Sequence, residues 1–256
     1  MKLFKRTVIF LLIFISIVWA ANFIWIYLPF NVATATKSEI KQTEMLLSQN
    51  DIFVKESILT QGTKSVKTPQ IEFIANDKDL FEEYVLKNKL KMISENEYMY
   101  GENKLYLDGN SIIFEGYSDI IEKNTPDTAI TKAKKLITHL RLDTKQMLVN
   151  MQKRQDGILV TFIPEYKNRP VFDCKINVMM YGEKKYKITS VPYKLKSNGL
   201  KEMPITVCTA LAELALSGKA KYSEVTETVL GYKCENGKLV PVWEIKTADK
   251  NTFYIR

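Results

Sequence analysis

A single histidine, His139, stands in the 256 residues of this sequence. A Ser-His-Asp or Cys-His nucleophilic site would have to use it, yet it falls off the apolar stripe of its predicted helix and faces solvent. No HExxH pattern occurs, and no His/Cys spacing matches a zinc site. Glycine is scarce too: ten residues, scattered and mostly at turn positions, with no phosphate-cradling loop. Arginine appears at only 6, 141, 154, 169 and 256. Nucleic-acid and phosphate sites favour the guanidinium fork over lysine, so nucleic acid is set aside as a partner. The cysteines number three, Cys174, Cys208 and Cys234, so at most one pair forms. Cys174 shares a predicted strand face with Phe172, Ile176 and Val178, and Cys208 a helix face with Leu211, Ala212 and Ala215. Both read as small buried hydrophobes, and no structural disulfide is expected. The paired carboxylates Glu82/Glu83 and Glu224/Glu227 lack an apolar pocket to raise a pKa; the second pair falls on opposite strand faces because its separation is odd. Lys184 and Lys185, at a predicted hairpin tip, read as solvated. The expectation is a protein that is not an enzyme, with no catalytic residue, cofactor or metal.

Charge is missing altogether from residues 7–28, and the next charge after Arg6 is Lys37. A helix of 22 residues is about 33 Å long, enough for a hydrocarbon core of about 30 Å. Lys2, Lys5 and Arg6 stand before the run, which keeps the N-terminus in the cytoplasm and exports the rest; Trp25 and Tyr27 suit the outer interface. Ala33-Thr34-Ala35 has the look of a signal-peptide cleavage site, but the run exceeds the ~7–15 residues of a signal h-region. The expectation is an uncleaved single-pass anchor in the cell membrane with an extracellular C-terminal part. Within the run Ser16 and Ala20, four apart, form a small-residue seam for close helix packing, and Asn22 is a lone amide that seeks a hydrogen-bonding partner in lipid. These three are the candidate partner-binding residues. The chain carries +8, of which +5 follows the anchor, compatible with anionic headgroups or wall polymer but explained as readily by solubility.

Beyond the anchor the pattern is readable. Thr36-Lys37-Ser38-Glu39 is a capping box opening an amphipathic helix to about Ser48. Extended segments follow at 52–54 and 71–74, around a polar loop at 61–68. Asn76 caps a helix with the stripe Leu80, Phe81, Tyr84 and Val85, and strands come near 91–100, 104–107 and 111–115. Thr125-Pro126 opens a helix with the stripe Ile130, Ala133, Ile137 and Leu140. Strand candidates lie at 146–154, 158–164, 171–181 and 186–193. The stretch 194–203, with Ser197-Asn198-Gly199, reads as an internal linker. A helix over 205–217 carries the face Val207, Cys208, Leu211, Leu214 and Ala215, and strands at 223–234 and 238–246 are joined by Asn236-Gly237, a type I′ signal. A final strand covers 252–256.

Helix followed by antiparallel strands recurs at 126–193 and 204–256, and more weakly at 77–115. The expected fold class is α+β: one N-terminal transmembrane helix, then tandem helix-plus-antiparallel-sheet units. The divisions are a cytoplasmic 1–6, a transmembrane 7–28, a juxtamembrane 29–50, an N-terminal unit 51–122 and a C-terminal region 123–256 with a sub-boundary at 194–203.

The stretch Glu224-Val-Thr-Glu-Thr-Val-Leu230-Gly231-Tyr232, followed by Leu239-Val-Pro241-Val-Trp243-Glu-Ile245, resembles the end of the YycI and YycH regulatory proteins of Gram-positive bacteria. There a Leu-Gly-Tyr strand, a Pro-x-Trp strand and a short last strand close the chain, and the single N-terminal span and the size resemble YycI more than YycH. The resemblance implies a non-enzymatic, membrane-anchored accessory protein. Its implied partners are the sensor histidine kinase WalK (YycG) and a YycH-like sister protein, and it would modulate the kinase largely through transmembrane contacts. It implies no catalytic residue and a structural role for Leu230, Gly231, Tyr232, Pro241 and Trp243. The alternative expectation is an exported, membrane-tethered binding module for wall polymer, peptide or a protease.

Overall fold

The computed structural model describes residues 32–75, 91–100, 103–121, 125–139, 142, 147–182 and 184–256. The chain begins with β1 (Val32–Ala33), helix α1 (Lys37–Gln49), β2 (Phe53–Val54), the single turn α2 (Glu56–Leu59), β3 (Thr63–Lys64), β4 (Val66–Thr68) and β5 (Ile71–Phe73). Then come β6 (Lys91–Ser94), β7 (Glu97–Tyr100), β8 (Asn103–Asp108), β9 (Ser111–Tyr117), α3 (Pro126–His139), β10 (Met147–Lys153), β11 (Gly157–Pro164), β12 (Ile176–Tyr181) and β13 (Lys185–Ser190). The last part holds β14 (Tyr193–Leu195), β15 (Leu200–Glu202), α4 (Val207–Leu216), β16 (Glu224–Glu235), β17 (Lys238–Thr247) and β18 (Thr252–Ile255).

The expected tandem α+β architecture is overturned. The described chain is mostly β, dominated by an eight-stranded antiparallel sheet in the order β10-β11-β12-β13-β9-β8-β7-β6. Strands assigned in sequence to separate units meet at β9 and β13, where Phe114 pairs with Ile188 and Glu115 with Lys187. Alternation reports that a strand has one buried face; it does not report which strand lies beside it. Among the described residues no helix is long and apolar enough to cross a membrane. The expected span 7–28 and the expected helix after Asn76 both lie outside the described residues.

One hydrophobic cluster lies between this sheet and α3. Ile158, Val160 and Phe162 of β11 and Val178 and Met180 of β12 point inward, against Ala129, Ala133, Leu136 and Ile137 of α3. The helix stripe is therefore rotated from the expected one: Ile130 is only partly buried, and Leu140 lies outside the described residues.

The second cluster surrounds α4, which is apolar on nearly every side, as a helix enclosed by protein must be. Val207, Cys208, Ala210, Leu211, Leu214 and Ala215 are all buried, packed with Leu47 of α1, Leu59 of α2 and the sheet β18-β17-β16-β2. The expected linker 194–203 is not a free connection. β14 pairs with β5 and β15 with β4, so this stretch straps the N-terminal strands to the C-terminal core. The hairpin β16–β17 turns at Asn236 (φ 49°) and Gly237 (φ 71°), the left-handed pair that a type I′ turn demands.

Candidate functional site

The five C-terminal residues of the Leu-Gly-Tyr and Pro-x-Trp pair face each other across one ladder. Leu230 pairs with Trp243, and Tyr232 with Pro241. Gly231 sits where the ring of Phe172 crosses the strand: a Cβ there would lie 2.5 Å from the ring and 2.6 Å from the Pro170 carbonyl oxygen. It marks a close approach rather than a bulge; the bulge lies earlier, between Val225 and Glu227. That extra residue resets the strand's parity, so Glu224 and Glu227 are both exposed instead of lying on opposite faces. Tyr232 is buried against Tyr166 in an edge-on contact of 5.7 Å, and burial pushes its hydroxyl pKa up to about 12. The Trp243 indole N–H donates to the Ile205 carbonyl at 2.9 Å, tying the sheet to the entry of α4.

The N-terminal end of the described chain meets this same helix entry. β1 pairs with β3, and Thr36 then caps α1. The Glu39 amide donates to Thr36 Oγ1 at 3.2 Å while Glu39 Oε2 accepts from the Thr36 amide at 3.2 Å, a complete capping box. The other carboxylate oxygen of Glu39 reaches across to α4, accepting from Thr206 Oγ1 at 2.9 Å and from Thr209 Oγ1 at 3.3 Å. Thr206 is itself the N-cap of α4, accepting from the Thr209 amide at 3.1 Å. One half-buried carboxylate thus satisfies groups at two helix N-termini, where both helix dipoles favour negative charge. Further along α1, the buried Thr43 hydroxyl donates to the Cys208 carbonyl at 3.4 Å. The first helix is therefore bonded to the C-terminal core at its start and its middle.

Among the described residues no three His, Cys, Asp or Glu side chains stand close enough to hold a metal ion. Hydrogen bonds connect Thr36 through Glu39 to the entry of α4, and the Ile205 carbonyl connects that entry to Trp243. The capping box was legible in the sequence; the bonds from Glu39 to threonines 167 and 170 positions away were not.

Of the other candidate residues, Ser16, Ala20 and Asn22 lie outside the described residues, as do Glu82 and Glu83. His139 closes α3, and its side chain is outside the description. Lys184 pairs with Asp119 at 2.7 Å, which holds the Asp119 carboxyl below its usual pKa, and Lys185 stands over the Tyr181 ring. Cys174 was misplaced by pattern: strand β12 begins only at Ile176, so Cys174 turns into the second cluster while Ile176 and Val178 enter the first. Its sulfur lies 3.4 Å from that of Cys234.

No family model and no curated protein matches the sequence. Among solved structures, the chain is similar to an uncharacterized protein from Eubacterium rectale, at 12% identity and a TM-score of 0.45 over 80% of this chain and 87% of that one. It is also similar to the C-terminal domain of Bacillus megaterium YpeB, at 12% identity and a TM-score of 0.36 over 87% of this chain and 99% of that one. Likenesses this distant carry no functional argument.

Proposed function

We propose that the chain is a membrane-anchored accessory regulator of a WalK/YycG-like sensor histidine kinase controlling cell-wall metabolism. It acts by binding and not by catalysis, with residues 32–256 outside the cell beside a YycH-like sister protein. The resemblance of 224–245 to the YycI and YycH ends supports this reading, as does the uncharged run 7–28 behind three positive charges. The observation that carries it is the shortness of the connection. Three residues, 29–31, separate the end of that run from Val32, which is already paired with Lys64, and Glu39 then bonds to α4. A regulator that communicates between membrane and exterior needs a joint of this kind, because a flexible linker would dissipate any displacement. Regulation also requires that the anchor make different contacts with the kinase's two states, since equal binding to both shifts nothing.

The test begins with a mild-detergent pull-down of the full-length protein from its own membranes, followed by mass spectrometry. Recovery of a histidine kinase with a second single-span protein supports the proposal; recovery of wall fragments or an exported enzyme instead overturns it. Exchanging residues 7–28 for an unrelated span is expected to abolish regulation. Survival of regulation would return the chain to the reading of an exported binding module on a passive tether.

A further inference from the structure

The sulfurs of Cys174 and Cys234 lie 3.4 Å apart, and the residues that precede them in each segment are hydrogen-bonded to one another. The segment carrying Cys174 runs along β16 as a short parallel addition, with Val171 bridged to Tyr232. The Tyr232 amide donates to the Pro170 carbonyl at 2.8 Å, and the Phe172 amide donates to the Tyr232 carbonyl at 2.8 Å. The Cys234 amide donates to Asp173 Oδ2 at 2.8 Å. A disulfide bond is about 2.05 Å long, which leaves about 1.35 Å for the sulfurs to close. The third cysteine has a different environment: buried Cys208 donates its thiol to the Leu59 carbonyl at 3.2 Å.

We propose that Cys174 and Cys234 are an oxidisable pair that forms an intrachain disulfide clamping the segment that leads into β12 onto β16. Cys174 stands two residues before β12 of the eight-stranded sheet, and Cys234 lies in β16 of the four-stranded one. Both side chains belong to the cluster around α4, so the bond would fix the approach to the eight-stranded sheet against that core. The partly exposed Cys234 is the entry point and the buried Cys174 the resolving thiol. As a thiolate, Cys234 attacks one sulfur of an oxidant disulfide, either an exported thiol–disulfide oxidoreductase or a low-molecular-weight disulfide, and expels one thiolate. Cys174 then loses its proton and attacks the Cys234 sulfur of the mixed disulfide, expelling the second thiolate. The two cysteines are oxidised by two electrons, and the oxidant leaves as two thiols. In the reduced pair the hydrogen bond to Cys234, with burial, holds the Cys174 thiol pKa well above its usual range. This inference departs from the sequence expectation of no disulfide, and it rests on the proposed exported location only for its source of oxidant.

The test uses the full-length protein, purified in detergent under reductant, freed of reductant and incubated with oxidised glutathione. Free thiols counted in denaturant are expected to fall from three to one, with peptides containing Cys174 and Cys234 cross-linked. Closing a loop across a separation of 60 residues is expected to raise Tm by on the order of 10 °C. The Cys174→Ser variant is expected to hold one glutathione on Cys234 and gain no such shift. Three surviving thiols, a pair containing Cys208, or an unresolved glutathione adduct on wild-type Cys234 would each overturn the proposal. Labelling intact cells with a membrane-impermeant amine reagent reads the location separately, so a failed export reading is distinguishable from a failed pair.

Discussion

Replacing Glu39 by alanine removes the acceptor at the joint between α1 and α4. Three hydrogen bonds are lost: those from the Thr36 amide at 3.2 Å, the Thr206 hydroxyl at 2.9 Å and the Thr209 hydroxyl at 3.3 Å. A typical net hydrogen bond contributes about 0.5–1.5 kcal/mol. Two of these are long and the carboxylate is half-buried, so the lower half of that range applies. Adding about 0.3–1 kcal/mol for a carboxylate at a helix N-terminus gives a total of about 2–4 kcal/mol. For a domain of this size that is a fall in Tm of roughly 4–16 °C, read by circular dichroism or calorimetry. Glu44→Ala, an exposed carboxylate on the same helix, is the control and is expected to stay within about 0.5 kcal/mol. Glu39→Gln keeps an acceptor and is expected to recover about half of the loss. A double-mutant cycle with Thr206→Val isolates the bond across the joint and is expected to show a coupling of about 1 kcal/mol. A Glu39→Ala protein as stable as the control, or a coupling of zero, would refute the joint as described. In cells the same variant is expected to weaken kinase regulation without releasing the protein from the membrane.

Other perturbations follow from the same geometry. Gly231→Ala drives a methyl group into the Phe172 ring and the Pro170 carbonyl; it is expected to cost about 1–3 kcal/mol, and an unchanged denaturation midpoint would count against the close approach. Trp243→Phe strips the Ile205 carbonyl of its indole donor and is expected to cost about 1–3 kcal/mol, with faster hydrogen exchange at the start of α4. Leu211→Ala, in a fully buried position, is expected to cost about 2–5 kcal/mol by urea unfolding. Burial raises the hydroxyls of Tyr186 and Tyr232 to about 12, from an ordinary 10.0. The folded state therefore holds these protons more tightly than the unfolded state. Their contribution is complete below pH 10 and is lost as pH rises from there towards 12. Tyrosinate absorbance followed with circular dichroism is expected to show late-titrating tyrosines coupled to unfolding; a single titration near 10 with the fold intact would contradict this.

Local structure was largely readable, and it was read best where the chemistry is local. The capping box at Thr36, the proline that opens α3, the apolar face of α4 and the Asn236-Gly237 turn depend on residues a few positions apart. Reading failed where a single residue changed the phase. The bulge after Val225 put Glu224 and Glu227 on one side, and the late start of β12 sent Cys174 into the other core. The linker over 194–203 shows no structural signal because its strands are three residues long and too polar to show a period; their partners lie 120 or more positions away.

What the sequence determined by itself is most of the longer helices and strands, the apolar face of α4 and the uncharged run 7–28, because each rests on a property of neighbouring side chains. Only the tertiary structure decided how those elements combine. It merged β9 and β13 into one eight-stranded sheet, brought Glu39 to Thr206, and set Cys174 against Cys234. The physical reason is that apolar patterning specifies that a face must be buried and leaves open what buries it. That choice is made by the packing of the whole chain, through contacts whose partners carry no local mark of each other.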